Sequence, residues 1–242
     1  FPNMPVPENL DYDMWLGPTP WVPYTERRCH FWWRFIFNYG GGEMTDRGAH
    51  IMSVCLYVLA MDDAWPATIE VAANKPPAGT LRDVPPRMEV TYEFKKPAEW
   101  TLVWSQPGVK AGQGEYGAKY TGDKDTLVVN GGDGGTWTEE KAKQFQAPAG
   151  GPKVFRSPGH IQNFFDCMRT REKPIMWVEY GCKVATLNNL GNATYLASLA
   201  NNGTAKLAWD PVKERLSGPG CDAANAFLHR PARAKYKIPD KV

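Results

Sequence analysis

Met88-Glu89-Val90-Thr91-Tyr92-Glu93-Phe94 alternates between large apolar and polar side chains without a break. Successive residues of a strand point to opposite faces, so Met88, Val90, Tyr92 and Phe94 share one face and Glu89, Thr91 and Glu93 the other. Such alternation marks an antiparallel sheet with one face covered. Outward from this stretch, further strands are expected at 68–73, 99–106, 117–121 and 125–130, with Gly122-Asp123-Lys124 as the hairpin turn between the last two. Upstream, 45–60 has a helical period, and 1–38 is a Pro- and Trp-rich arm with a short helix near 11–16. Downstream, an irregular excursion over about 130–146 leads to Ser157-Pro158, an N-cap and first-turn proline for a helix carrying Ile161, Phe164, Phe165 and Met168. A second helix over about 178–201 ends at Gly203, and its small residues Ala185, Gly191, Ala193 and Ala197 permit close approach to a neighbour. An edge strand at 206–209 and a short helix at 222–228 complete the reading. The fold class is α+β: an open, mostly antiparallel β-sheet covered on one face by helices, within a single domain spanning 1–242.

Composition supports one substantial core. The chain has 242 residues, 43% hydrophobic and 22% charged, and its 28 basic and 26 acidic residues leave a net charge of +2. That balance, with no basic cluster interleaved with stacking aromatics, argues against nucleic acid as a partner. No apolar run approaches the ~18 residues of a membrane span. The five cysteines are odd in number and lack C-x-x-C spacing, which points to buried free thiols rather than a disulfide framework or zinc knuckle.

The chemistry concentrates in Tyr39-Gly40-Gly41-Gly42-Glu43-Met44-Thr45-Asp46-Arg47-Gly48-Ala49-His50. Asp46 and His50 stand four residues apart and share one helix face. Ile51, Met52, Val54, Cys55, Leu56, Val58 and Leu59 follow, so the helix is expected to be mostly buried, with its polar stripe opening into a cleft. An imidazole beside a carboxylate suits proton transfer. Two alternatives stand beside that reading: a structural pair at a helix N-terminus, where the dipole favours a carboxylate, and a metal site built from Glu43, Asp46 and His50; for the aromatics, including Trp32 and Trp33, a sugar platform stands against an arm that serves only to pin the N-terminal segment to the sheet. As substrate contacts, Trp32, Trp33, Arg34 and Glu43 are the candidates, because the first three directly precede the glycines and aromatic faces stack on sugar C–H surfaces.

The glycine stretch resembles a pattern close to G-G-G-x-x-x-D-x-G-x-H in the C-terminal domains of the Gfo/Idh/MocA oxidoreductases. Val6 to Pro18 is similar to the opening of that domain in sugar-acting members. His160 to Arg169 with Lys173-Pro174-Ile175, and Ala224 to Pro231, are similar to its late helices and tail. The resemblance implies NAD(P)-dependent oxidation or reduction of a carbohydrate or polyol. It also implies roles: His50 as general acid or base, and Asp46 orienting the substrate or the imidazole. Members of the family begin with a nucleotide-binding domain, but Gly112-Gln113-Gly114, although Gly117 completes the G-x-G-x-x-G spacing, has no following helix because 117–121 reads as a strand, and the tripeptide Glu172-Lys173-Pro174 falls in the stretch similar to the late helices rather than near the end of a nucleotide-binding domain.

NAD or NADP is therefore expected in the complete enzyme and none on this chain alone, with the nucleotide-binding domain supplied in cis or in trans. A homo-oligomer through the sheet is also expected, because Val90, Tyr92, Phe94, Leu102 and Trp104 offer more apolar area than one helical layer obviously covers. Two rival classes are a cofactor-independent sugar lyase or hydrolase reusing Asp46 and His50, and a non-catalytic carbohydrate-binding or scaffold subunit. The sequence fits a cytoplasmic location or, if an export signal precedes Phe1, a periplasmic one.

Overall fold

In a computed structural model, residues 1–59, 61, 63–108, 116–131, 137–138, 144, 155, 157–237 and 239 are described. The expected excursion over 130–146 and Gly112-Gln113-Gly114 lie largely or wholly outside them. The chain divides into two compact units, one of residues 1–50, 63–107 and 187–242 and the other of 51–62 and 108–186.

The first unit holds a five-stranded antiparallel sheet of β1 (Pro66–Ala73), β2 (Met88–Phe94), β3 (Trp100–Gln106), β7 (Thr204–Asp210) and β8 (Arg215–Ser217), in the order β3-β2-β1-β7-β8. The alternation of β2 is realised as read: Met88, Val90, Tyr92 and Phe94 are buried, and Tyr92 pairs with Ile69 of β1 and Leu102 of β3. Helix α4 (Val178–Ser198) contributes its second half to this covered face. Tyr92 donates its hydroxyl to the Leu187 carbonyl at 2.8 Å, and a Cβ on Gly191 would lie 2.7 Å from that hydroxyl oxygen. The small residue at 191 thus permits the approach the sequence suggested.

Residues 206–209 are corrected from an edge to an interior position. β7 pairs with β1 on one side and β8 on the other, because Asp210 accepts from the Val212 and Lys213 amides and turns the chain back. The argument for an apolar surplus on the sheet is also corrected. Val90, Tyr92, Phe94 and Trp104 are all buried within the chain, while the opposite face carries Glu70, Glu89, Glu93 and Lys206. There Lys206 reaches Glu93 at 2.8 Å and Glu70 at 3.4 Å, and Thr68 donates to Glu93.

The arm is tied down at both ends of the sequence. Asp11 caps the short helix α1 (Tyr12–Leu16) by accepting from the Met14 amide, and Tyr12, Leu16, Tyr24 and Cys29 form a local cluster. Arg233, Lys235 and Tyr236 of the C-terminal tail converge on Asp13, and Arg233 also donates to the Gly17 carbonyl. Nearby lies α5 (Cys221–Leu228), whose Asn225 exchanges two hydrogen bonds with the Leu216 backbone of β8.

The second unit contains a three-stranded sheet of β4 (Tyr116–Thr121), β5 (Thr126–Gly131) and β6 (Trp137–Thr138). The 122–124 hairpin is as expected, closed by the Gly122 amide donating to Asp125. Helix α3 (His160–Thr170) begins two residues later than Pro158 suggested, with Gly159 at the cap and Ser157 accepting from its amide. Its apolar stripe is not core: Ile161, Phe164, Phe165 and Met168 are exposed, and Asn163 is buried instead, accepting from the Ile175 amide. Lys183 is buried and donates to the Met61 carbonyl. All five cysteines are free, but burial holds only for Cys29 and Cys55, since Cys182 is exposed.

Candidate functional site

The glycine triplet has a local structural cause. A 3-10 turn over His30–Phe35 leads into a tight return in which Gly40 and Gly41 both donate to the Ile36 carbonyl, at 2.9 and 3.2 Å, and Gly42 donates to Arg34 at 2.7 Å. A Cβ at Gly40 would stand 2.4 Å from the Arg34 Cα, and Gly41 and Gly42 take φ of +73° and +80°, where only glycine is unstrained. Helix α2 (Glu43–Val58) starts from this loop, with the Asp46 amide donating to Gly42 at 3.0 Å. Asn192 of α4 fixes the loop by donating to the Gly41 carbonyl at 2.8 Å. One turn earlier, Asn188 abuts α2 at Gly48, where an added Cβ would meet its Oδ1 at 3.1 Å.

Because the amides of Gly40, Gly41 and Gly42 are spent inside the loop, they offer no cradle for a pyrophosphate. A phosphate site at a helix N-terminus needs free, converging N–H groups. The loop does not fit a dinucleotide.

On α2, Met44, Gly48, Met52, Cys55 and Leu56 form the buried stripe, whereas Asp46 and His50 are exposed. The expectation of a mostly buried helix is corrected, since Val54, Val58 and Leu59 are exposed as well. Arg34 projects from the 3-10 turn to within 3.7 Å of the Asp46 carboxylate, and both side chains keep about a third or more of their surface in water. Its guanidinium lies over Phe31 at 4.7 Å and Trp33 at 5.4 Å, which restricts it to one side of the pair. Glu43 is engaged by Arg47 at 3.2 Å. Among the described residues no three His, Cys, Asp or Glu side chains gather as a metal site would require.

Arg34, Asp46 and Trp33 are thus brought together, with His50 one turn along the same helix. Trp32 faces the other way, onto a cleft of about 190 Å³ that Arg27, Phe35 and Arg82 also line. Neither Asp46 nor His50 lines it. Sequence reasoning missed Asn188 and Asn192. Their signal was two asparagines at i and i+4, on the same helix face as the small Ala185 and the apolar Tyr195, since a buried amide needs a partner.

Residues 1–105 match the family model described as the oxidoreductase family, C-terminal alpha/beta domain, of Gfo/Idh/MocA proteins. Over that segment, less than half of its length, the chain is similar to this family. The match includes the arm, the glycine loop, α2 and the first three strands, and it ends in β3, so the similarities at 160–175 and 224–231 lie beyond it. No curated protein matches the chain. Among solved structures, an NAD-binding protein from Listeria innocua is similar at 18% identity, with a TM-score of 0.41, over 72% of this chain and 50% of that one. The present chain therefore spans half the length of that structure. No described helix is long and apolar enough to cross a membrane.

Proposed function

We propose that this chain is the substrate-side half of an NAD(P)-dependent oxidoreductase acting on a carbohydrate or polyol. The observation that carries the reading is the Arg34–Asp46 pair beside Trp33, at the exposed start of the helix that also bears His50. Oxidising an alcohol removes a hydride from carbon and a proton from oxygen. A nucleotide-binding domain, in cis or in trans, would hold the hydride acceptor, since the glycine loop here has no free amides to do so. His50 receives the hydroxyl proton, Asp46 orients the reacting hydroxyl, and Arg34 keeps the carboxylate aimed. Trp33 presents a ring face for the C–H side of a sugar, while Glu43, held by Arg47, lies about two turns before His50 and can accept from a neighbouring hydroxyl.

The test joins the chain to a nucleotide-binding domain of the same family and follows nicotinamide absorbance with a panel of aldoses and polyols. Sugar-dependent reduction that falls about 10²-fold or more in His50→Ala, with an unchanged circular dichroism spectrum, is the expected result. Turnover in His50→Ala equal to that of the parent would overturn the assignment.

A further inference from the structure

The cleft beside Trp32 has a chemistry that the Asp46–His50 reading does not use. Residues three apart eclipse in a 3-10 turn, so Trp32 and Phe35 stand on one side and Phe31 and Arg34 on another. Two cations meet the first side. The Arg82 guanidinium lies 4.3 Å over the Phe35 ring, and the Arg27 guanidinium 5.9 Å over the Trp32 ring. Stacking occupies the guanidinium faces and leaves the in-plane N–H groups for an acceptor.

Among the described residues no such acceptor is present. Among the described residues neither arginine has a carboxylate within ion-pair distance, and the Arg82 Nε is buried without a hydrogen-bond partner. Thr80, also on the cleft, spends its hydroxyl on the Pro77 and Arg82 carbonyls. The lining contains no acidic residue, and Ile36 and Leu81 complete an apolar wall. A hollow with ring-shaped apolar walls and two unmatched cations at its rim calls for one kind of occupant. An aromatic or aliphatic ring fills the walls, and an anionic group supplies the planar pair of acceptors that guanidinium N–H donors match.

We propose that this cleft binds a small organic carboxylate carried on an apolar ring. The ring lies against Trp32, Phe35 and Leu81, and the carboxylate takes the N–H groups of Arg82 and Arg27. The site is separate from the proposed reaction centre and independent of whether that centre is redox-active.

Calorimetric titration of the chain with sodium phenylacetate, against its neutral isostere phenylacetamide, tests the proposal. Saturable binding of the carboxylate is expected, at least about tenfold tighter than the amide, because charge-assisted bonds to guanidinium are lost in the neutral compound. Arg82→Met and Arg27→Met should each weaken the carboxylate about tenfold and leave the amide unchanged, and added salt should weaken the carboxylate alone. Should Arg82→Met fail to fold, Arg27→Met decides, because Arg27 is exposed. Equal affinity for acid and amide, absence of saturation, or unchanged carboxylate affinity in Arg27→Met would each overturn it.

Discussion

The Asn192 amide nitrogen stands 2.8 Å from the Gly41 carbonyl oxygen, joining helix α4 to the loop that opens α2 across 151 positions of sequence. Both groups are buried, so removing the donor leaves a carbonyl with neither protein nor water to satisfy it. Asn192→Ala is expected to destabilise the chain by roughly 1–3 kcal/mol, measured by urea unfolding. The Oδ1 of both side chains is buried without a partner, so the difference lies in the bond to Gly41, and Asn188→Ala, which removes no such bond, should cost less. Equal losses in the two variants would show that helix packing rather than this hydrogen bond holds the loop.

Glycine positions give a second, opposed pair. Gly40→Ala must drive a Cβ into the Arg34 backbone, which cannot rotate away, and a loss of about 3 kcal/mol is expected. Gly181, inside α4, has open space where its Cβ would be, and alanine there should raise stability by roughly 0.5–1 kcal/mol through helix propensity alone. Thermal unfolding of both variants checks the contrast, and a neutral Gly40→Ala would contradict the geometry of the loop.

The sheet was legible because period-2 alternation is a local signal and one covered face makes it strict. Met88 to Phe94 needed no tertiary information. The edge status of 206–209 was not legible, since whether a strand has one neighbour or two depends on where the three-residue β8 returns. Helical spacing of Ile161, Phe164, Phe165 and Met168 correctly gave a helix but not its environment, because periodicity reports a stripe without saying what covers it. At the candidate site, i,i+4 spacing alone put Asp46 and His50 on one helix face. Arg34 reaches Asp46 only through the 3-10 turn and the three-glycine return, a geometry that spacing alone does not encode.

A pH effect is expected at the clasp between arm and tail. Hydrogen bonds from Lys235 and then Arg233 hold the Asp13 carboxyl down at about 2, against an ordinary value near 4. The pKa is depressed in the folded state, so the clasp contributes fully above about pH 4 and is lost as pH falls toward about 2. Hydrogen exchange of the Arg233 and Tyr236 amides, which donate to the Pro18 and Arg233 carbonyls, should therefore stay slow at pH 5 and accelerate below about pH 3 relative to the intrinsic rate. Asp13→Asn should exchange quickly at both pH values. Protection in that variant matching the parent at pH 5 would mean that the Gly17 carbonyl contacts of Arg233 suffice.

The Arg34–Asp46 pair separates stability from function. Its 3.7 Å separation and half-exposed side chains place it among surface ion pairs, whose coupling is about 0–1 kcal/mol, so a double-mutant cycle of Arg34→Met and Asp46→Asn on unfolding free energy should find little. If the pair aims a carboxylate at a reacting hydroxyl, the same cycle on kcat/KM of the fused enzyme should behave differently. Asp46→Asn alone should lower kcat/KM by about tenfold or more, and Arg34→Met should add little in its presence, because the two act as one unit. Arg34→Lys should rescue only in part, since an ammonium lacks the planar guanidinium that Phe31 and Trp33 hold in place. Additive losses in the double variant would remove Arg34 from the proposed orienting role and leave it as a stacking partner of the aromatic turn.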